Sequence, residues 1–236
     1  MIKTRAFLIL GLCLAAGLAI FGFQVGRAVK VGREFDRYLT VRGLSEVEVK
    51  ANLAIWSLKF SVQANELGEL KQEMEKARTK VRLFLLASGI AETEINAGLP
   101  VIDDRELTKN GSAHADIARY VAKLTIVVRS TNVDTIKMAM QQVDKLLEQG
   151  VALAMEEYGE KAQFFFTNIN EVKPDMIREA TANARASAEK FAQDSHSSVG
   201  KIRKATQGVL EIDQRDDASP ERKILRVVTT VEFFLD

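Results

Sequence analysis

The chain has 236 residues, of which 47% are hydrophobic and 28% are charged, and its formal net charge is +1. This is the composition of an ordinary globular protein, and the length suffices for one large domain or two small ones. The near balance of charge and the small number of aromatic residues argue against a nucleic-acid partner. The single cysteine, Cys13, excludes an internal disulfide and leaves the body of the chain without a thiolate for metal binding or catalysis.

The first feature in chain order is an apolar run from Ala6 to Val25. About twenty residues form a helix of roughly 30 Å, which is enough to cross the hydrocarbon core of a bilayer. A cleavable signal peptide usually has an apolar region of only about 7–15 residues, so the length favours an uncleaved membrane anchor over residues 1–32. A signal peptide that ends near Gly26-Arg27-Ala28 is the alternative.

The charges that flank this run do not fix its orientation. Lys3 and Arg5 precede it, and the basic residues that follow it are Arg27, Lys30, Arg33 and Arg37. Because cations lie on both sides, the positive-inside rule by itself leaves a cytoplasmic and an exported domain both open.

Two strands and a helix are predicted next. Leu39–Val49 has a short strand pattern and Leu53–Gln63 alternates strictly between apolar and polar residues, which predicts a hairpin that turns near Lys50-Ala51-Asn52. From Leu67 to Ser88, apolar residues recur every three or four positions, as on one face of a helix. Gly89 suits the end of that helix.

The middle of the chain repeats this arrangement. Ile95–Glu106 is a weaker strand pattern, Asn110-Gly111 is a hairpin-turn signal, and Ala118–Val128 alternates as a further strand. A second helix is predicted over Val133–Leu147, before Gly150.

The last third is predicted to contain one more helix between strands. Gln163–Asn168 is a short apolar strand, and the third helix begins near Pro174, a residue that suits a first helical turn. Ile202–Ile212 and Ile224–Phe234 are the final strands, joined by a polar turn at Arg215–Pro220.

The predicted fold class is therefore α+β, with the order β-β-α-β-β-α-β-α-β-β. Leu53–Asn168 contributes a β-α-β-β-α-β core of ferredoxin-like type, in which an antiparallel sheet has its helices on one face. No glycine- or proline-rich linker interrupts the chain, so residues 33–236 are predicted to form one continuous domain.

Three stretches carry a resemblance to a known family. In the third helix, alanine recurs every four residues at Ala180, Ala184, Ala188 and Ala192; the other two stretches are Thr40-Val41-Arg42-Gly43 and Ala87-Ser88-Gly89-Ile90. Together they resemble the SIMPL-domain family over nearly all of Leu39–Phe234. The chain departs from the usual pattern where Gly43-Leu44-Ser45 replaces Gly-x-Gly and where Ala51-Asn52 replaces Pro-Asp.

The resemblance implies a bacterial envelope protein of the oxidative stress defence type, because members of the family are typically exported or anchored in the envelope. It places the domain in the periplasm or outside the cell, on a single-pass inner-membrane anchor over residues 6–25. Some members form large channel-like rings, which implies a homo-oligomer. The motifs are structural, and the resemblance implies no enzymatic reaction.

Few residues are candidates for chemistry. His114 and His196 are the only histidines, and neither has a second histidine at a metal-binding spacing, so a loop residue and a helix-end residue are the favoured interpretations. The acidic cluster of Asp103, Asp104, Glu106 and Asp116 could hold Ca²⁺ or Mg²⁺, but neighbouring cations offset it. The same interpretation applies to Asp213, Asp216 and Asp217 beside Arg215.

Two aromatic features complete the candidates. Trp56 lies on the apolar face of its strand and is interpreted as a core residue rather than a ligand platform. Phe164-Phe165-Phe166 either exposes one phenylalanine for a subunit interface or buries both faces.

The sequence thus assigns no catalytic, cofactor-binding or metal-binding residue and predicts no cofactor. The leading hypothesis is a non-enzymatic envelope protein that acts by self-association or partner binding in oxidative or envelope stress protection. A small-ligand or metal-binding periplasmic module with a catalytic activity is the alternative hypothesis.

Overall fold

The computed structural model describes residues 14, 15, 17–27, 37–108, 118–153 and 162–235. Residues 17–27 are helical. Within the described ranges, no helix combines the length and the apolar character needed to cross a membrane. Part of the predicted anchor, including Cys13, lies outside the described residues, as do His114, Asp116 and the Asn110-Gly111 turn.

The described chain is α+β, as predicted, with antiparallel pairing in its sheets. The strands are β1 Tyr38–Lys50, β2 Leu53–Ala64, β3 Ile95–Ala97, β4 Val101–Asp104, β5 Tyr120–Ser130, β6 Ala152–Leu153, β7 Gln163–Phe165, β8 Val199–Gln207, β9 Glu211–Gln214 and β10 Arg222–Leu235. The helices are α1 Leu67–Ala87, α2 Arg105–Thr108, α3 Val133–Gln141, α4 Asp144–Glu148 and α5 Ile169–Asp194, with a 3₁₀ turn at Glu92–Glu94.

Two compact units divide these elements. One comprises Met1–Val47, Val172–Glu211 and Leu225–Asp236, and the other comprises Glu48–Glu171 and Ile212–Ile224. The prediction of one continuous domain over residues 33–236 stays a prediction.

The six-stranded sheet runs in the order β3-β5-β2-β6, with β4 also paired to β5 and β7 to β2. Every one of these pairs is antiparallel. The strict alternation of β2 is realised, because Trp56, Leu58 and Phe60 are buried in one core with Val81 of α1 and Ile136 of α3. The interpretation of Trp56 as a core residue is confirmed.

The four-stranded sheet has the order β1-β10-β8, and β9 pairs with β10. Two alanines of the α5 stripe, Ala184 and Ala188, pack in one cluster with Val41, Val231 and Phe233. Small side chains at every fourth helical position let the helix axis approach a sheet closely.

The closest approach is at Gly43 in β1. A Cβ atom placed on Gly43 would lie 1.8 Å from the carbonyl oxygen of Ala180 and 2.5 Å from the amide nitrogen of Ala184. At the second glycine position of the family pattern, Ser45 is accommodated because its hydroxyl donates a hydrogen bond to Glu179 Oε2 at 2.8 Å.

The predicted hairpin between the first two strands is wrong. β1 pairs with β10 in one sheet, whereas β2 pairs with β5 in the other. At the turn, the Ala51 amide donates to the Glu221 carbonyl at 2.8 Å and the Asn52 amide donates to the Phe165 carbonyl at 2.9 Å. The chain therefore passes from one sheet to the other at this point.

Two predicted strands are each divided. Ile95–Glu106 is β3, β4 and α2 rather than one strand, because the Gly98 amide bonds to Thr125 while Pro100 has no amide hydrogen to donate. Ile202–Ile212 is divided between β8 and β9 around Gly208, whose backbone bonds to Val228 across the sheet.

Two predicted helices also differ from the structure. Val133–Leu147 is α3 and α4, because Gln142 and Val143 make i-to-i−3 backbone hydrogen bonds that tighten the chain between them. The third helix begins at Ile169, so Pro174 lies inside α5 rather than at its start. Proline there leaves the Asn170 carbonyl without its usual helical donor.

Substitution of Gly43 tests the close approach of α5. We expect Gly43→Ala to destabilise the protein by about 3 kcal/mol, because the obstructing atoms are backbone and cannot rotate away. Gly68→Ala in α1 is the matched control, since nothing lies within 4 Å of its added carbon and alanine favours a helix. Chemical denaturation measures both; equal stability of the two variants would contradict the packing described.

Candidate interaction surface

The free edge of the six-stranded sheet is formed by β3 and β4, which follow one another along the same side of β5. Ile95 lies opposite Val128, and Val101 lies opposite Lys123. No described strand pairs with their other side. Residues 95–104, which we call the edge segment, thus present backbone donors and acceptors along an open sheet edge.

Apolar side chains accompany this open edge. Leu99 is 92% exposed, Val101 65% and Ile102 49%, and Leu107 in the following helix α2 is also exposed. Natural proteins usually protect an edge with charge, twist or a covering element, so exposed apolar side chains along an edge favour an interaction site. The edge segment therefore has the chemistry of a surface that adds a strand from a partner.

Pro100 limits where such pairing can occur. Proline has no amide hydrogen, and the amide of Gly98, two residues earlier, is already donated to the Thr125 carbonyl at 2.8 Å. The part of the edge that remains suited to regular pairing therefore lies in β4, after Pro100.

The predicted acidic cluster at this edge is held by an arginine. Arg119 Nη2 lies 3.0 Å from Asp104 Oδ2, and Arg119 Nη1 lies 2.6 Å from Glu106 Oε2. The hydrogen bond from Arg119 lowers the pKa of the Asp104 carboxyl. Among the described residues, no three histidine, cysteine or acidic side chains come together as a metal site.

The structure also places the second predicted acidic group, near Arg215, and the remaining histidine, His196. Asp216 Oδ2 lies 2.6 Å from Arg215 Nε, and Asp213 is exposed. His196 follows the end of α5 with a φ of +53°, and the next amide, that of Ser197, donates to the Ala192 carbonyl at 2.8 Å. It is therefore a helix-ending residue in a position that favours glycine.

One phenylalanine of the run Phe164-Phe165-Phe166 is exposed, as in the first predicted alternative, and its use at a subunit interface stays a prediction. Phe164 is buried, Phe165 is exposed and Phe166 is half-buried. Phe165 and Phe164 pair with Leu53 and Ala54 of β2. The exposed ring is thus a second apolar contribution to the same sheet, carried by β7.

A groove of about 350 Å³ lies beside the end of α1. Its lining residues are Leu83, Phe84, Ala87, Ser88, Gln142, Lys145 and Gln149. Lys145 Nζ donates to Gln142 Oε1 at 2.7 Å, so its ammonium is already engaged at the wall of the groove. The lining of the groove thus combines three apolar residues with four polar or charged ones.

Sequence reasoning missed one buried carboxylate, that of Glu221. Lys137 Nζ lies 2.5 Å from Glu221 Oε1, whereas Oε2 has no hydrogen-bond partner. Burial is the largest single effect on the pKa of this carboxyl and raises it. The hydrogen bond from Lys137, a backbone hydrogen bond and the charges of Lys137 and Arg222 together outweigh burial, so the pKa lies below its ordinary value. In the sequence, Glu221 stands before Arg222 and Lys223, where nothing distinguishes it from a surface residue.

Removing the ammonium tests this buried pair. We expect Lys137→Met to destabilise the protein by about 2 kcal/mol at neutral pH, because Glu221 would remain buried and charged without its partner. The depressed pKa means that the pair stabilises the fold above the unfolded-state pKa of about 4.3 and loses this effect as the pH falls. The destabilisation should therefore shrink in acid.

Arg82→Ala is the matched control, since Arg82 and Glu92 form an exposed pair at 2.8 Å. Such a pair is worth about 0–1 kcal/mol. Urea denaturation at neutral and acidic pH measures all three proteins. A loss for Lys137→Met that does not depend on pH would contradict the assignment.

The chain was compared with protein-family models, curated proteins and solved structures. The family model SIMPL, described as “Protein of unknown function (DUF541)”, matches residues 39–229. No curated protein matches the chain. A solved structure described as a hydrolase from Listeria innocua is 15% identical, over 81% of this chain and 92% of that one, with a TM-score of 0.20. A TM-score this low carries no argument about fold or activity.

Proposed function

Because the chain belongs to the SIMPL family, we propose that it is a non-enzymatic envelope protein that works by self-association or by binding a protein partner. The observation that carries this proposal is the edge segment, in which Leu99, Val101 and Ile102 are exposed on the side of the sheet where no described strand pairs with β3 or β4. Strand addition at such an edge supplies backbone hydrogen bonds, and the apolar side chains add buried surface. A role in oxidative or envelope stress protection belongs to the same proposal and follows from the family resemblance.

The six-stranded sheet is proposed to be of ferredoxin-like type. Its strands occur along the chain with helices after β2 and β5, and neighbouring strands are antiparallel. The first strand of this set, β2, lies between β5 on one side and β6 and β7 on the other. This arrangement supports a split β-α-β topology.

The proposed location is the bacterial inner membrane, with a single-pass anchor over residues 6–25 and the domain in the periplasm or outside the cell. The length and apolar character of that run support the anchor, and a secreted periplasmic form after signal cleavage is the alternative. A fusion of alkaline phosphatase after Asp236 should be active, while a cytoplasmic fluorophore at the same place should be dark. The reverse pattern would place the domain in the cytoplasm.

Association through the edge segment can be measured on residues 33–236. We expect this chain to assemble and Ile102→Lys to raise its dissociation constant at least about tenfold, because a charge at a buried strand junction is costly. Light scattering across a concentration series gives the mass.

Leu147→Lys in α4 is the matched control, since Leu147 is similarly exposed but does not lie on a sheet edge. It should assemble like the parent chain. A parent chain that stays monomeric at high concentration would remove self-association from the proposal. Assembly that Ile102→Lys leaves unchanged would remove the edge segment from it.

A second function, as a small-ligand module, is favoured by the groove beside α1. Its volume of about 350 Å³ suits a small organic molecule better than a metal ion, and its seven lining residues include three apolar and four polar or charged ones. A thermal-shift screen with metabolites and metals distinguishes the two functions. A compound that raises the unfolding temperature of the parent chain but not of Leu83→Lys would favour this second function.

A further inference from the structure

We propose that the outer edge of β8 pairs with the same edge of a second copy of this chain, antiparallel about a two-fold axis at Thr206. The edge runs from Val199 to Glu211, through β8 to the first residue of β9, and we call it the β8 edge. All of it belongs to the compact unit that contains Val172–Glu211. The inference rests on the proposed self-association and adds a second surface to it, on the sheet that does not contain the edge segment.

β8 lies at one side of the four-stranded sheet. The order of that sheet is β1-β10-β8, and no described strand pairs with the other side of β8. The chain stays beside β10 after β8 ends, because the Gly208 amide donates to the Val228 carbonyl at 2.8 Å and β9 also pairs with β10. The β8 edge therefore presents backbone donors and acceptors on a side where the described chain places no strand.

β8 also differs from its neighbours because it buries neither of its faces. Every residue from Lys201 to Val209 is exposed, whereas β1 and β10 each bury alternate residues. The exposed residues include apolar ones, since Ile202 is 46% exposed and Val209 is 83% exposed. A strand gains its stability mainly from packing on at least one face, so an exposed strand of nine residues favours a partner that covers it.

The backbone pattern indicates which residues can form hydrogen bonds across the axis. The Gly208 amide is donated to β10, and Thr206 lies two residues earlier in the same antiparallel register. In an antiparallel ladder, alternate residues direct their amide and carbonyl toward the same neighbouring strand. Ala205 and Gln207 therefore direct theirs away from β10, and an axis at Thr206 places Ala205 of one copy opposite Gln207 of the other.

This register also places opposite charges together. Lys201 and Glu211 are each the fifth residue from Thr206, so Lys201 of one copy lies opposite Glu211 of the other. Both are exposed, and neither forms an ion pair among the described residues, whereas Arg203 is already paired with Glu232 at 3.2 Å. Opposite charges directly across two strands attract locally, so this pair requires no net charge on either surface. A lysine on an edge usually opposes pairing, and an acidic residue opposite it reverses that effect.

The residues between the axis and the charged pair are also complementary. Ile202 lies opposite Leu210, so two apolar side chains meet across the copies. A parallel arrangement in register would instead place each Lys204 beside the same residue of the other copy, and like charges directly opposite are unfavourable. The β8 edge is thus complementary to itself in the antiparallel direction, and this assigns a second copy of the chain as its partner.

A disulfide cross-link tests the position of the axis. The full chain in detergent micelles carries Thr206→Cys or Lys201→Cys in a Cys13→Ala background, with Ile102→Lys to weaken association through the edge segment. The Cα atoms of the facing pair on the axis are about 4.5 Å apart, which a disulfide can span, whereas ten residues of strand hold the two copies of residue 201 roughly 33 Å apart. We expect mild oxidation to join the Thr206→Cys chains into dimers on a non-reducing gel and to leave the Lys201→Cys chains separate.

Exchange of the two charges tests the register. In the Ile102→Lys background, Lys201→Glu or Glu211→Lys alone should raise the dissociation constant of the dimer at least about tenfold, because the axis makes the repelling pair occur twice. Lys201→Glu with Glu211→Lys restores opposite charges and should return the constant to its starting value. Lys71→Glu in α1 is the matched control, since Lys71 is exposed but lies on no sheet edge, and it should leave the constant unchanged. Absence of the Thr206→Cys dimer, or single variants that the double exchange does not restore, would overturn the inference.

Light scattering on the unmodified full chain separates this inference from the proposed self-association. Assembly without Thr206→Cys dimers leaves self-association in place and overturns only the β8 edge as its surface. A chain that stays monomeric overturns both, and it leaves a strand of a different protein as the occupant of the edge. Dimers of Thr206→Cys that form despite Ile102→Lys support the β8 edge as a surface separate from the edge segment.

Discussion

The packing of α5 against the four-stranded sheet depends on the absence of a side chain at Gly43. The Ala180 carbonyl occupies the space that any Cβ atom would need, and small residues recur along the helix so that Ala184 and Ala188 can also lie against the sheet. A close contact between backbone atoms gains dispersion energy but tolerates no added volume. The same contact positions β1 and β10, and through their pairing it positions β8.

The sequence predicted the strands and helices better than it predicted which strands pair with one another. Strict alternation identified β2 and β5, and the spacing of apolar residues identified α1, because burial of one face is a local pattern. The pairing of β1 with β10 could not be derived in this way, since a strand pattern does not specify its partner. Pro174 misled the prediction because proline is usual in a first helical turn, whereas here it lies inside a helix of 26 residues.

The candidate surface was only partly visible in the sequence. The sequence predicted that close neighbours would offset the charge of Asp104 and Glu106, whereas the cation that the structure places against both is Arg119, 15 residues beyond Asp104. The pattern around Leu99 and Val101 predicted a weak strand. Such a pattern cannot show whether another part of the protein covers these side chains. Nothing in the sequence marked Glu221 as a buried residue, because its partner Lys137 is 84 residues away in the chain. Contacts between segments that are separate in the sequence thus decided the chemistry of Asp104 and of Glu221.

The separation of β1 from its partner has a consequence for how the molecule is made. The 171 residues between Lys50 and Arg222 are synthesised after β1 and before the strand that pairs with it. The strands of the six-stranded sheet all lie between Leu53 and Phe165, so that sheet needs only the middle of the polypeptide. Strands that are far apart in the sequence pair more slowly than strands that are close together. We therefore expect the nascent chain to complete the six-stranded sheet before β1 pairs with β10.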